Sequence, residues 1–273
     1  IEGRKHDCVA AMIDSVECDL STIINNNCSI NPISSSTDKG MHILRHSAAH
    51  LLAQAVTTLY PEAKPTIGPA IERGFYYDFA NLEGFSEGDI KAVQKKMHEI
   101  ARRNHTVERV ECSDKQLAEL FATNPYKIEI INDKLEDGGG STIYRQGEWY
   151  DLCLGPHVPN TAKLMHVRLT SISSAFWRGD QTREQLTRIY GIVESTKENL
   201  RTTMAAIEEA KKRDHRKLGK DLQLFHVDEE VGQGLILWTP RGAMVRTSLQ
   251  NFISEHLTRQ GYLQVYTPHI GKL

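Results

Sequence analysis

His46 and His50 are the residues from which chemistry is most readily built. Four residues apart on a helix, they differ by about 40° of rotation and ~6 Å of rise, so both imidazoles leave the same side. They fall roughly opposite the apolar stripe of the same segment, Leu44, Ala48, Leu51 and Ala55. A second cluster, Asp151-Leu-Cys-Leu-Gly-Pro-His157, sets a carboxylate and the Cys153 thiol on one side of a strand end, and Gly155-Pro156 turns the chain back to His157. Alone, each cluster also fits ordinary structure: histidines satisfied in the core or at the surface, and a buried cysteine beside a capping aspartate. Together they offer three imidazoles, a thiol and a carboxylate, a competent set for hydrolysis or for metal.

Two chemistries stay open on the residues. In one, His46, His50, Cys153 and His157 are nitrogen and sulfur ligands of Zn²⁺ with Asp151 behind them. Four protein ligands saturate a tetrahedral ion, so hydrolysis would need one of them displaced by water. In the other, imidazoles position and deprotonate a water, and Asp151 orients a histidine or a substrate amine. Lys127 could supply positive charge to a developing oxyanion, or could be a solvated lysine.

The elements that must hold these groups are legible in the periodicity. Asp38 can cap a helix running to about Leu59, stopped by Pro61. Gly74 to Phe79 reads as an aromatic-rich strand, and Ser86 with Asp89 as the capping box of a helix ending near Arg103. A strand (Thr106 to Cys112), a helix (Asp114 to Ala122) and a break at Asn124-Pro125 follow. From Gly138 the chain becomes β-rich, with strands expected near 142–145, 149–153, 166–177 and 186–194. The expected fold is α+β, a helix pair packed on an antiparallel sheet. Residues 1–35 read as the end of a small β-rich domain with a polar linker, 36–195 as the main domain, and 196–222 as one long charged linker helix. Beyond it come a helix from Pro240 to Gln260 and a strand at Tyr262 to Tyr266.

With 33 Lys+Arg against 35 Asp+Glu in 273 residues, the net charge of −2 exerts no global pull on nucleic acid, so such a partner must use a local patch. Lys211, Lys212, Arg213, Arg216 and Lys217 form one, and Arg178, Arg183 and Arg188 could extend it; helix pairs with Glu208 and Glu209 are the plainer reading of the first group. No apolar run approaches the ~18 residues of a membrane helix. Five cysteines without a CxxC pair fit free thiols in a reducing compartment, and a cytoplasmic globular protein is expected. The end at Gly271-Lys272-Leu273, directly after a strand-like run, suggests a piece of something longer.

Several runs together resemble bacterial threonyl-tRNA synthetases. They are His42-Ile-Leu-Arg-His-Ser-Ala-Ala-His-Leu-Leu52, Ile67-Gly-Pro-Ala-Ile-Glu-Arg-Gly-Phe-Tyr-Tyr-Asp78 and Asp151-Leu-Cys-Leu-Gly-Pro-His-Val-Pro159. Ala175-Phe-Trp-Arg-Gly-Asp180, Gln185-Leu-Thr-Arg-Ile-Tyr-Gly191 and Lys212-Arg-Asp-His-Arg-Lys-Leu-Gly-Lys220 add to them, and the likeness runs in order along the whole chain.

The resemblance implies a TGS-type ubiquitin-like domain ending in residues 1–35 and, in 36–195, an editing domain that hydrolyses seryl-tRNA mischarged on tRNA(Thr). It carries catalytic roles to His46, His50, Lys127, Asp151, Cys153 and His157, and places Tyr77 in the pocket lining. Editing is expected to need no cofactor. Related alanyl-tRNA editing proteins bind zinc with the same pattern, so if a metal were held its ligands would be His46, His50, Cys153 and His157. Residues 223–273 resemble the start of a class II catalytic domain, with motif 1 building a homodimer. ATP, Mg²⁺ and a catalytic-domain Zn²⁺ would bind beyond residue 273, so aminoacylation is not expected of this chain alone. A freestanding zinc-dependent deacylase and a non-catalytic tRNA-binding fragment are the alternatives.

Overall fold

The computed structural model describes residues 7–136, 142–232 and 234–268. A small antiparallel sheet opens the chain, β1 (Cys8–Ile13) lying between β2 (Val16–Cys18) and β3 (Ile30–Ser34). Asp14 and Ser15 both have positive φ, the two-residue turn whose twist suits a tight hairpin.

Helix α1 (Asp38–Leu59) is capped by Thr37, whose hydroxyl accepts the Gly40 N–H, and not by Asp38 as the sequence suggested. Short β4 (Lys64–Pro65) and β5 (Ala70–Ile71) lead into β6 (Gly74–Ala80), and the expected Ser86–Asp89 box starts α2 (Glu87–Arg102). Then come β7 (Val107–Glu111), α3 (Asp114–Leu120) and α4 (Pro125–Glu136). The Asn124-Pro125 pair, read as a break, is a helix start: Asn124 Oδ1 accepts the Lys127 N–H and Pro125 takes the first helical position, where a missing N–H costs nothing. The Gly138–Gly140 run lies outside the described residues. Strands β8 (Thr142–Gln146) and β9 (Trp149–Leu152), a short 3₁₀ turn (Thr161–Leu164), β10 (Val167–Phe176) and β11 (Gln185–Val193) complete the first unit's sheets.

These strands form an antiparallel β10-β11-β6-β4 sheet with β5 also on β6, and an antiparallel β7-β8-β9 sheet. Helices α1 and α2 pack on each other and on the larger sheet, so the fold is α+β as expected. Ile43, Leu44, Ala48, Leu51 and Ala55 of α1 share one core with Phe75, Tyr77 and Phe79 of β6 and with Val9, Ala10 and Ile33 of the first sheet. The N-terminal sheet thus shares the core of the main domain. Helix α1 is not half-solvated: Ser47, His50 and Gln54 are buried too, with Gln54 bonded to Gln146 of β8 and His50 beside Trp149 of β9.

The division into two compact units falls at Thr202–Thr203. The charged stretch read as one helix is two, α5 (Lys197–Lys212) and α6 (His215–Asp221), because Asp214 leaves helical geometry and accepts the Arg216 N–H as a new cap. In the second unit β12 (Phe225–Val227) pairs with β13 (Ile236–Trp238), and Thr239 caps α7 (Pro240–Arg259) with Pro240 in its first turn. Tyr262 to Tyr266 is not a strand, since no described strand offers it a ladder. No helix among the described residues is long and apolar enough to cross a membrane.

Candidate functional site

Successive turns of α1 present His42, His46 and His50 to one cavity of about 440 Å³. Its other walls are the 66–69 segment, Tyr77 from β6, Lys127 and Lys134 from α4, and the end of β9 with its turn, Asp151 to Gly155. Elements far apart in sequence therefore meet as the two clusters require.

Around Cys153 the geometry is tight. His46 Nε2 lies 2.9 Å and His157 Nε2 3.2 Å from Sγ, and the Gly155 N–H donates to Sγ at 3.3 Å. The rings of His46 and His157 stack at 4.5 Å, and His50 lies 4.3 Å from His157. Ser47 Oγ accepts the Val158 N–H at 3.1 Å and stands 3.0 Å from His157 Nδ1. Ser47 thus ties the His157 ring to the backbone that follows it, and His157 and His46 hold the sulfur from two sides. His157 is buried behind Cys153 and does not line the cavity.

The second group centres on Asp151, 1% exposed. Its Oδ1 is 2.5 Å from Lys127 Nζ and accepts the Leu152 N–H at 2.8 Å, while Oδ2 accepts the Tyr77 hydroxyl at 2.5 Å. Lys127 Nζ also donates to Tyr77 Oη at 3.0 Å, and His50 Nε2 is 3.9 Å from Oδ2. Buried ion pairs persist where hydrogen bonds satisfy the remaining lone pairs, and here they do.

Burial sets the charge states. It lowers His46 to about 4 and His50 to about 3, and takes His157 well below the ordinary histidine value, with neighbouring imidazoles adding to the effect. Burial likewise pushes the Cys153 thiol up to about 11. For Asp151 burial raises the pKa, but Lys127, His50 and the hydrogen bonds outweigh it and the carboxyl stays below its usual range. Tyr77 is raised well above the phenol value, by burial first and then by Asp151. Near neutrality the wall thus offers the uncharged His46 and His50 rings and the uncharged thiol beside the Lys127–Asp151 ion pair.

His46, His50, Cys153 and His157 are also a donor set for a metal ion, their ligand atoms lying within 4.8 Å of one another. The nitrogen and sulfur types suit zinc, though the thiol must ionise and the sulfur–nitrogen contacts at 2.9 and 3.2 Å must open slightly for a tetrahedral ion.

Sequence reasoning missed Ser47, Tyr144, His42 and Lys134. Ser47 sits inside the first motif, but only its distant partner at 157 reveals a role; Tyr144, whose ring lies 4.3 Å from that of His157, carried no signal. The arginines read as a possible extension of the basic track all have carboxylate partners: Arg178 and Arg183 hold Glu129 of α4, Arg178 holds Asp133 as well, and Arg188 grips Asp78 with two bonds at 2.7 and 2.8 Å. Lys211, Lys212, Arg213 and Arg216 are exposed but paired with Glu208, Glu209 and Asp214, while Lys217 is exposed on α6.

Residues 141–190 match the family described as the threonyl and alanyl tRNA synthetase second additional domain. The chain is 44% identical to a threonine–tRNA ligase of Chlorobium chlorochromatii (strain CaD3) and 46% identical to one of Prosthecochloris aestuarii, in each case over 99% of this chain and 42% of the relative. It is 46% identical to that of Chloroherpeton thalassium over 93% of the chain and 39% of the relative. The chain spans about two-fifths of the length of the curated relatives it matches.

Proposed function

The chain is a homologue of the threonine–tRNA ligases over about two-fifths of their length, and on that footing we propose that its first unit hydrolyses the ester of seryl-tRNA mischarged on tRNA(Thr). The observation that carries this reading is the meeting of His46, His50 and Cys153 with the Lys127–Asp151–Tyr77 group around one cavity. The cavity exceeds a seryl group in size, which leaves room for part of the terminal ribose.

In this reading a water enters beside His50, whose neutral imidazole takes a proton as the water oxygen bonds to the ester carbon. The imidazolium formed lies beside Asp151, and Lys127 offers its charge to the oxyanion. Collapse breaks the bond to the ribose oxygen, which receives the proton from His50. His157 does not touch substrate; it holds Cys153. Holding water and ester in reach supplies much of the rate. A second pocket is needed because a missing methyl is worth only ~1–3 kcal/mol in a synthetic site, too little to exclude serine.

The four-donor cluster favours a second reading, a zinc-dependent deacylase at the same place. Zinc held by His46, His50, Cys153 and His157 would supply Lewis acidity toward a water. Attachment of threonine with ATP and Mg²⁺, a threonine-selecting Zn²⁺ and homodimerisation belong, in this reading, to a complete ligase. The tRNA contact is assigned to Lys211, Lys212, Arg213, Arg216 and Lys217; the local pairs of the first four are of the weak exposed kind.

Incubating the chain with seryl-tRNA(Thr) and threonyl-tRNA(Thr), with metal content measured in parallel, tests all of this. Faster loss of the seryl ester is expected. Both esters surviving would leave a non-catalytic tRNA-binding fragment, and loss that tracks stoichiometric zinc and stops on chelation would favour the metal reading.

A further inference from the structure

Asp19 follows β2 in the small N-terminal sheet, yet its carboxylate is bonded to residues 125 and 138 positions further along the chain. The Tyr144 hydroxyl donates to Oδ2 at 2.6 Å, and the backbone N–H of His157 donates to Oδ1 at 2.8 Å. No described Lys or Arg pairs with this carboxylate, so these donors are what it serves.

Both partners bracket the turn that carries the thiol. The Tyr144 ring lies against His157, and its hydroxyl fills the space over Gly155, where any Cβ would overlap it. Gly155 has φ +74°, a conformation glycine adopts without strain, and its N–H donates to Cys153 Sγ. On the far side of the turn His157 Nε2 lies 3.2 Å from the same sulfur. One carboxylate thereby fixes the tyrosine over the turn and the peptide that ends it.

We propose that Asp19 is a positioning residue of this site, setting Cys153 and His157 against α1, so that the small N-terminal sheet is part of the hydrolytic apparatus and not a separate module. Asp19 touches neither the cavity nor the reacting groups and acts through Tyr144 and the 153–157 turn. The inference rests on the hydrolase reading above only where turnover is concerned.

The whole chain bearing Asp19→Ala is compared with Asp19→Asn and with the unaltered chain in two measurements. Iodoacetamide modification of Cys153, followed by the mass of its peptide, reports the thiol's setting without substrate. It should rise about tenfold in Asp19→Ala, because loosening the turn lets a thiol now shielded by burial open more often to reagent. It should return to near the original rate in Asp19→Asn, whose amide still accepts the His157 N–H and can donate to Tyr144. For seryl-tRNA, kcat should fall by about ten- to a hundredfold in Asp19→Ala with KM little changed. An unaltered Cys153 rate in Asp19→Ala, or no rescue by asparagine, overturns the proposal. Absence of ester loss in the unaltered chain overturns the hydrolase reading and leaves the thiol measurement to decide on Asp19. If Asp19→Ala does not fold, Tyr144→Phe, which removes one of the two bonds, must move Cys153 reactivity in the same direction, or the proposal is wrong.

Discussion

The Ser47 hydroxyl accepts the Val158 N–H and faces Nδ1 of His157 at 3.0 Å, so one small side chain inside the HSAAH run holds the ring of one residue and the backbone of the next, both more than a hundred positions away. A histidine ring is useful only when the nitrogen that points at the chemistry has a defined proton. Here the helix that presents His42, His46 and His50 to the cavity also holds the ring of His157.

Replacing Ser47 by alanine leaves the buried Val158 N–H and His157 Nδ1 without a partner. The expected cost is about 1–3 kcal/mol of stability, read as a lower urea midpoint at unchanged m. Stability equal to the parent chain would show that the hydroxyl does not serve these groups.

The lowered histidines carry a pH signature. Between pH 6.5 and about 4 His46 binds a proton when unfolded but not when folded, and His50 does so down to about 3. The unfolded state therefore holds more protons, and stability must fall as pH falls through this window, by up to about 1.4 kcal/mol per unit for each histidine. Denaturant midpoints at pH 7, 6 and 5 measure it. In the hydrolase reading the acid limb of kcat/KM lies below pH 5, since the base is still neutral there; a limb at the ordinary histidine value of 6.5 would contradict the burial of these rings.

Asp151→Asn leaves the Lys127 ammonium in a wall where it is 3% exposed and has lost its counter-charge. Breaking such a buried pair costs about 3–5 kcal/mol. The Lys127→Met, Asp151→Asn double variant should recover part of that loss, and thermal melts of the three proteins check it. Equal melting of single and double variants would mean the pair is not coupled.

Cys153→Ala should slow ester loss by about tenfold or more, because the sulfur orders His46 and His157. With a buried thiol held protonated, no acyl-enzyme should be trapped on acid quenching of the parent chain. A thioester at Cys153 would replace the water route by a covalent one.

Salt tests the basic stretch. If Lys211 and Arg216 neutralise phosphates, Lys211→Ala and Arg216→Ala should each flatten the slope of log affinity against log salt by about 0.7–0.9 for tRNA. An unchanged slope would leave both as solvated helix residues paired with Glu208 and Asp214.

Periodicity placed His46 and His50 on one side of a helix, alternation put Asp151 and Cys153 at a strand end, and the Ser86–Asp89 box marked α2; all of these are local relations, within a few residues of chain. Asp19, Ser47 and Tyr144 gave no such sign, because each matters only through a partner more than a hundred positions away or, for Tyr144, through the Asp19 and His157 it bridges. The same holds for the arginines at 178, 183 and 188: the sequence shows their charge, and only the packing of α4 and β6 beside them shows that carboxylates neutralise it. Helix α4 itself was hidden behind a proline that begins a helix as readily as it ends one. Residue types and spacings thus determined which groups were available for chemistry. Which of them line the cavity, which stand behind it and which are charged was decided by tertiary burial, since desolvation and hydrogen-bond geometry depend on neighbours that no local pattern specifies.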